Sequence, residues 1–109
     1  MARLRPKRRQ HRCYELAWRY LAYDDRFAEW TLVHGAISSR IDCDPIGHAW
    51  LQKDDTIYDP VTNRKSDLLD WVAENGAKAI CSYSHAEAMR IGGESGHYGP
   101  WHNVQVRHY

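Results

Sequence analysis

The chain has 109 residues, of which 43% are hydrophobic, 12% aromatic and 27% charged, and its formal net charge is +1. This is one domain with one core: too apolar for disorder, too short for two cores, with no apolar run long enough to span a membrane and no apolar leader, so a cytoplasmic protein is expected. Three cysteines, Cys13, Cys43 and Cys81, with no C-x-x-C pair, argue against a disulfide framework or a structural zinc site and leave at least one thiol free.

The charge is unevenly spread. Arg3, Arg5, Lys7, Arg8, Arg9 and Arg12 are six of the fifteen basic residues, and they leave nine basic against fourteen acidic residues beyond position 12, a net of −5. Residues 1–10 read as a flexible basic arm in front of a single domain over 11–109. Such an arm, through residues 3–12, suits an acidic partner or nucleic acid. A solvated terminus is the plainer reading, because no aromatic residue is interleaved with the charges.

The first element starts at Cys13, where Cys13, Leu16, Ala17, Tyr20 and Leu21 recur at helical spacing. Cys13 shares that apolar face and stands at the helix start, where free backbone N–H groups and the positive dipole end favour a thiolate. Asp24-Asp25 and the residues after them predict a short connection. WTLVHGAI, rich in β-branched and aromatic residues, predicts a strand over 30–38, and 40–47, with Asp44-Pro45 and Gly47, predicts a turn region. HAWLQ and TIYDP then form a hairpin about a Lys53-Asp54-Asp55 tip, with the turn at Asp55 open to more than one assignment. Strands in a hairpin lie about 5 Å apart. Counting inward, Gln52 falls opposite Asp55 or Thr56, which sets His48 across from Asp59 to within about one residue of register.

Pro60 and Asn63 end the hairpin. Ser66 is expected to cap a helix carrying Leu68, Leu69, Trp71, Val72 and Ala73, which Gly76 stops. KAICSY predicts an edge strand. Ser84 and Glu87 form a capping-box pattern in front of a short helix that the Gly92-Gly93 pair ends. The expected class is α+β: an N-terminal helix packed on an antiparallel sheet of three or more strands.

Cys13, His48 and Asp59 are thus a thiol at a helix start, a histidine on a strand and a carboxylate on the next strand. These are the parts of a catalytic Cys-His-Asp triad: nucleophile, general base and the group that orients the base. Alone, each has a plainer role as buried thiol, strand histidine and turn aspartate. Their order and the hairpin spacing join them.

The order of a cysteine at a helix start, a His-Ala-Trp strand and a Tyr-Asp-Pro strand end resembles the core of the transglutaminase-like branch of the papain-like fold, over about Arg12 to Pro60. Cys13-Tyr14-Glu15-Leu16 is also similar to the Cys-Phe-Glu segment of arylamine N-acetyltransferases. The resemblance implies a papain-like minimal core in which Cys13 attacks an amide or ester carbonyl, His48 passes the proton to the leaving amine, and Asp59 holds the imidazole tautomer. Water would then make the protein a peptidase or deamidase, and an amine a transglutaminase, acting on a protein or peptide substrate. The small size and the basic arm are also similar to compact phage-type proteins.

For an oxyanion, the backbone N–H of Cys13 is a natural donor and Gln10 a weaker candidate. His34, Trp50 and the aromatic loop with His97, Tyr98 and Trp101 are candidates for a substrate cleft, with a core role as the alternative for Trp50 and a structural lid as the alternative for the loop. No cofactor or metal is expected: Cys13, His34 and His48 have zinc-compatible chemistry, but no tight H-x-H pair supports such a site. The reading from a different class is a non-catalytic binding module that keeps the scaffold and uses the basic arm, with Cys13 dispensable.

Overall fold

The computed structural model describes residues 12–38, 45–101 and the backbone of 107–108. The basic arm, Gln10 and Cys43 lie outside the described residues. The architecture is α+β. Helix α1 (Cys13–Tyr23) and a short 3₁₀ turn (Asp25–Phe27) lead into strands β1 (Thr31–Ser38), β2 (Pro45–Lys53), β3 (Thr56–Asp59) and β4 (Arg64–Asp67). Helix α2 (Leu68–Asn75), strand β5 (Lys78–Tyr83), helix α3 (His85–Ser95) and strand β6 (Arg107–His108) follow. Five strands form an antiparallel sheet in the order β4-β3-β2-β1-β5, and β6 pairs in parallel with β2.

Alternation along the central strands splits the apolar residues between the two faces of the sheet. Leu32, Ala49, Leu51 and Tyr58 cluster with Cys13, Ala17 and Leu21 of α1 and Ala88 of α3. Val33, Trp50 and Ile57, each one residue out of step with those, cluster with Trp71 of α2. Helices therefore cover both faces, α1 and α3 on one and α2 on the other.

Local chemistry explains most element ends, and several differ from the sequence reading. The Ser84 hydroxyl accepts from the Glu87 N–H at 3.2 Å while the Glu87 carboxylate accepts from the Ser84 N–H at 3.0 Å, the reciprocal pair expected of a capping box. Helix α3 nevertheless runs through Gly92 and Gly93 and ends at Gly96, whose φ of 75° is the left-handed cap. Gly92 has a packing reason to stay helical: a Cβ there would stand 2.4 Å from Trp18 Nε1, so only a glycine lets α1 come this close.

Asp67, not Ser66, caps α2, accepting from the N–H groups of Leu69 and Asp70 at 3.0 and 3.3 Å. Ser66 belongs to β4, a strand of polar residues that carries no apolar alternation and so was not expected. Pro45 and Gly47 lie within β2 rather than in a turn. The hairpin register also shifts, since Lys53 pairs with Thr56, Gln52 with Ile57 and Leu51 with Tyr58, leaving a two-residue tip with Asp54 at a φ of 52°. Aspartate is among the few residues that tolerate that conformation.

Candidate active site

The site is assembled from the start of α1, the middle of β2 and the end of β3. Extending the hairpin register one step sets Asp59 level with Trp50, so His48 is its diagonal neighbour on the same face. Long side chains reach across such a diagonal, and here His48 Nε2 and Asp59 Oδ1 are 3.2 Å apart. The same Oδ1 accepts from the Val61 N–H at 3.0 Å, a turn contact two residues on that fixes the carboxylate.

His48 stands at a break in its strand edge. The β3 ladder on that edge reaches Leu51 and the β6 ladder reaches Gly47. The imidazole is also hydrogen-bonded with the Cys13 side chain. Cys13 belongs to one apolar cluster and the rings stacked on His48 to the other, so this contact joins the two faces.

Burial opposes a charge on His48, and the hydrogen bonds and charges of Asp59 and Cys13 outweigh it, pushing the histidine from 6.5 up to about 9. That direction keeps the ring protonated at neutral pH, with the Asp59 carboxylate on Nε2. Cys13 is the first residue of α1, and its N-cap, Arg12, makes no side-chain cap hydrogen bond. The first-turn N–H groups are therefore not satisfied by the side chain of the N-cap residue. Instead of capping the helix, Arg12 pairs with Glu15, which also accepts from Arg19 Nε at 3.0 Å; the Arg12 hydrogen bond is the largest cause holding Glu15 below the usual carboxylate range.

The three residues are shielded. Cys13 has 0% of its surface exposed, His48 1% and Asp59 5%. Reaction with anything larger than a proton therefore requires the protein to open around the thiol.

The remaining candidates surround this centre. His34 is fully buried, with its ring 4.9 Å from that of Tyr14, 5.1 Å from Tyr83 and 5.1 Å from Trp101. Burial, reinforced by charge on Cys13, holds the Tyr14 hydroxyl well above the usual phenol range. Gly99 lies directly on this group, at a φ of 114°, where a Cβ would stand 2.6 Å from His34 Cε1 and 3.4 Å from Tyr14 Cδ1.

Tyr98 accepts from Arg19 Nη2 at 3.1 Å, and Trp101 Nε1 donates to the His97 carbonyl at 3.0 Å. Residues 97–101 are thus latched onto α1 and β1. His97 and Tyr98 also line a groove of about 390 Å³ with Trp18, Met89 and Gly93. Trp50 is buried on the α2 side, where its indole packs against Trp71 and His48. Gln10 lies outside the described residues, as does the basic run from Arg3 to Arg9.

Sequence reasoning missed Trp71 and Gly35 as neighbours of the site. Trp71 counted only as one position of an apolar helix face, and nothing in its spacing links it to His48. Among the described residues no cluster of three or more metal-ligating side chains is present, and no helix is long and apolar enough to cross a membrane. Comparison of the chain with family models, curated proteins and solved structures found no match to any of them.

Proposed function

We propose that the chain is a cysteine-dependent acyl-transfer enzyme acting on amide bonds of a protein or peptide, with Cys13 as nucleophile, His48 as acid and base, and Asp59 as the group that orients His48. The observation that carries this reading is that His48 interacts both with Asp59, through Nε2 at 3.2 Å, and with the Cys13 side chain. A histidine serving only as packing has no need of both partners. The order of the three segments supports likeness to the transglutaminase-like branch of papain-like enzymes, and with it a cytoplasmic, cofactor-independent protein.

In this reading the Cys13 thiolate attacks the carbonyl carbon, forming the C–S bond, and the carbonyl oxygen takes the negative charge of the tetrahedral intermediate. In this reading the Cys13 N–H at the helix start donates to that oxyanion. Collapse breaks the C–N bond while the His48 imidazolium gives its proton to the departing amine. His48, now neutral, accepts a proton from water or from an incoming amine as it attacks the thioester. The C–S bond breaks, and thiolate and imidazolium are restored. The hydrogen bond from Nε2 to Asp59 holds the imidazole in one orientation throughout.

The test is alkylation of Cys13 by iodoacetamide at pH 7, followed by intact mass and peptide mapping, in the wild type and in His48→Ala. Loss of the imidazole is expected to slow alkylation at Cys13 by at least ~10-fold, because the imidazolium partner of the thiolate is gone. Equal rates in the two folded proteins would falsify the thiol–imidazole pair. Where the pair stands, glutamine-containing peptides incubated with and without a primary amine separate hydrolysis from transamidation by product mass.

A further inference from the structure

Resting on the acyl-transfer reading above, we propose that residues 97–101, latched to α1 by the hydrogen bond between Arg19 and Tyr98, are an autoinhibitory strap: it keeps the thiol side of the site closed, and its lifting opens Cys13 to a substrate carbonyl. The burial of the nucleophile calls for such a device. Cys13 is 0% exposed, and a thiol that meets no solvent meets no peptide either.

The strap stands on the face of the sheet that carries the thiol. Tyr98 and Trp101 pack against the apolar cluster that contains Cys13 and Tyr14. The Trp101 ring lies 5.1 Å from those of His34 and Tyr83, and Gly99 comes against Tyr14, the residue after Cys13. Further along the chain, β6 pairs with Ile46 and Gly47 of β2, and Gly47 directly precedes His48. The C-terminal part of the chain therefore meets α1 next to the nucleophile and β2 next to the base.

The strap is held more weakly than the core beneath it. Its own hydrogen bonds are short-range and exposed: the Gly99 N–H donates to His97 Nδ1 at 3.1 Å, and the Ser95 hydroxyl donates to the His97 carbonyl at 3.2 Å. Arg19 Nη2, which donates to the Tyr98 hydroxyl at 3.1 Å, ties the segment to α1, and Glu15 in turn holds Arg19. Tyr98 and Trp101 are half-buried, whereas Leu16, Ala17 and Leu21 of α1 are buried. Segments kept by exposed hydrogen bonds and half-buried side chains open at a far lower free energy than a core does. Gly96 supplies the hinge, since α3 ends there at a φ of 75° and a Cβ at that position would meet nothing within 4 Å.

The experiment is the rate of Cys13 alkylation by iodoacetamide at pH 7 in the full chain, located by peptide mapping, in the wild type, Tyr98→Phe, Trp101→Ala and Ile57→Val. Tyr98→Phe keeps the ring and removes the latch, and is expected to raise the rate about 5-fold, the effect of losing one net hydrogen bond. Trp101→Ala removes more of the contact that keeps the strap down and is expected to raise it by at least ~10-fold. Ile57→Val trims the cluster on the opposite face of the sheet and shows what a loss of stability alone does to the thiol. Alkylation of Tyr98→Phe no faster than that of the wild type, or no faster than that of Ile57→Val, overturns the strap. Where Trp101→Ala does not fold, Tyr98→Phe decides alone.

The result separates from that of the parent reading. Alkylation that depends on His48 and is indifferent to Tyr98 and Trp101 removes only the strap. A rate that rises in the strap variants, alongside one that is equal in His48→Ala and the wild type, keeps the strap and removes the acyl-transfer reading.

Discussion

His34 and His48 occupy neighbouring central strands at the same depth, yet their surroundings have almost nothing in common. The register pairs His34 with Ala49 and Gly35 with His48, so the two histidines are one residue out of step. In a pleated sheet that single step sends the rings to opposite faces. His34 meets Tyr14, Tyr83 and Trp101, three rings in edge-on or tilted contact. His48 meets a carboxylate, a thiol and two stacked indoles. Successive residues of α1 serve the two: Cys13 bonds to His48, and Tyr14 packs on His34. The comparison teaches that burial of a histidine here decides nothing by itself, and that the end of β3 at Asp59 gives His48 a carboxylate that favours its charged form.

The strongest way to break this contrast is to remove the carboxylate. Asp59→Ala leaves the His48 charge buried without its partner and the Val61 N–H without its acceptor, and breaking a buried pair from one side costs about 3–5 kcal/mol. Urea unfolding at pH 7 is expected to show that loss through a lower midpoint at an unchanged slope. A cost below ~1 kcal/mol would mean that the pair contributes no more than an exposed one, and the two histidines would no longer differ in kind.

The next effect is a pH dependence carried by His48. Folding raises this group from 6.5 to about 9, so the folded state holds the proton more tightly than the unfolded state does. The stabilisation is therefore fully present below pH 6.5, declines between the two values, and is gone once the pH has risen through 9. Its size is about 3 kcal/mol, from the pKa difference and 1.36 kcal/mol per unit. Urea midpoints measured across that range should fall in the wild type and flatten in His48→Gln. A wild-type midpoint that is level, or that rises with pH across the window, contradicts the imidazolium.

Much of this arrangement was legible before the structure, and the parts that were not share a physical cause. The apolar stripe of α1, the β-branched run of β1 and the capping box of α3 are local signals, and each led to the right element. The hairpin brought His48 and Asp59 onto neighbouring strands, but two aspartates at its tip could not say how many residues the turn takes, so the pair proved diagonal instead of directly opposed. Strand β4 is Arg-Lys-Ser-Asp and carries no apolar period, because it is a polar edge. Gly92-Gly93 read as a stop, since the close approach of Trp18 that makes a glycine useful within α3 is a long-range fact. The contact between Trp50 and Trp71 was hidden for the same reason: the two residues lie on β2 and α2, and Trp50 has room because Gly35 of β1 has no Cβ.

The smallest effect sharpens the other half of the comparison. Gly99 lies against His34 and Tyr14 at a φ of 114°, a conformation that residues with a Cβ rarely adopt. Gly99→Ala is therefore expected to cost about 1–3 kcal/mol, through backbone strain and a methyl group forced against the His34 ring. Because His34 and His48 face opposite sides of the sheet, the cost should appear in the urea midpoint alone, with the His48 ring titrating where it does in the wild type. Should the alanine move the His48 midpoint as far as it moves stability, the two sides are coupled through the Cys13-Tyr14 turn of α1. The loop carrying Tyr98 and Trp101 would then act on the thiol–imidazole pair as well as on His34.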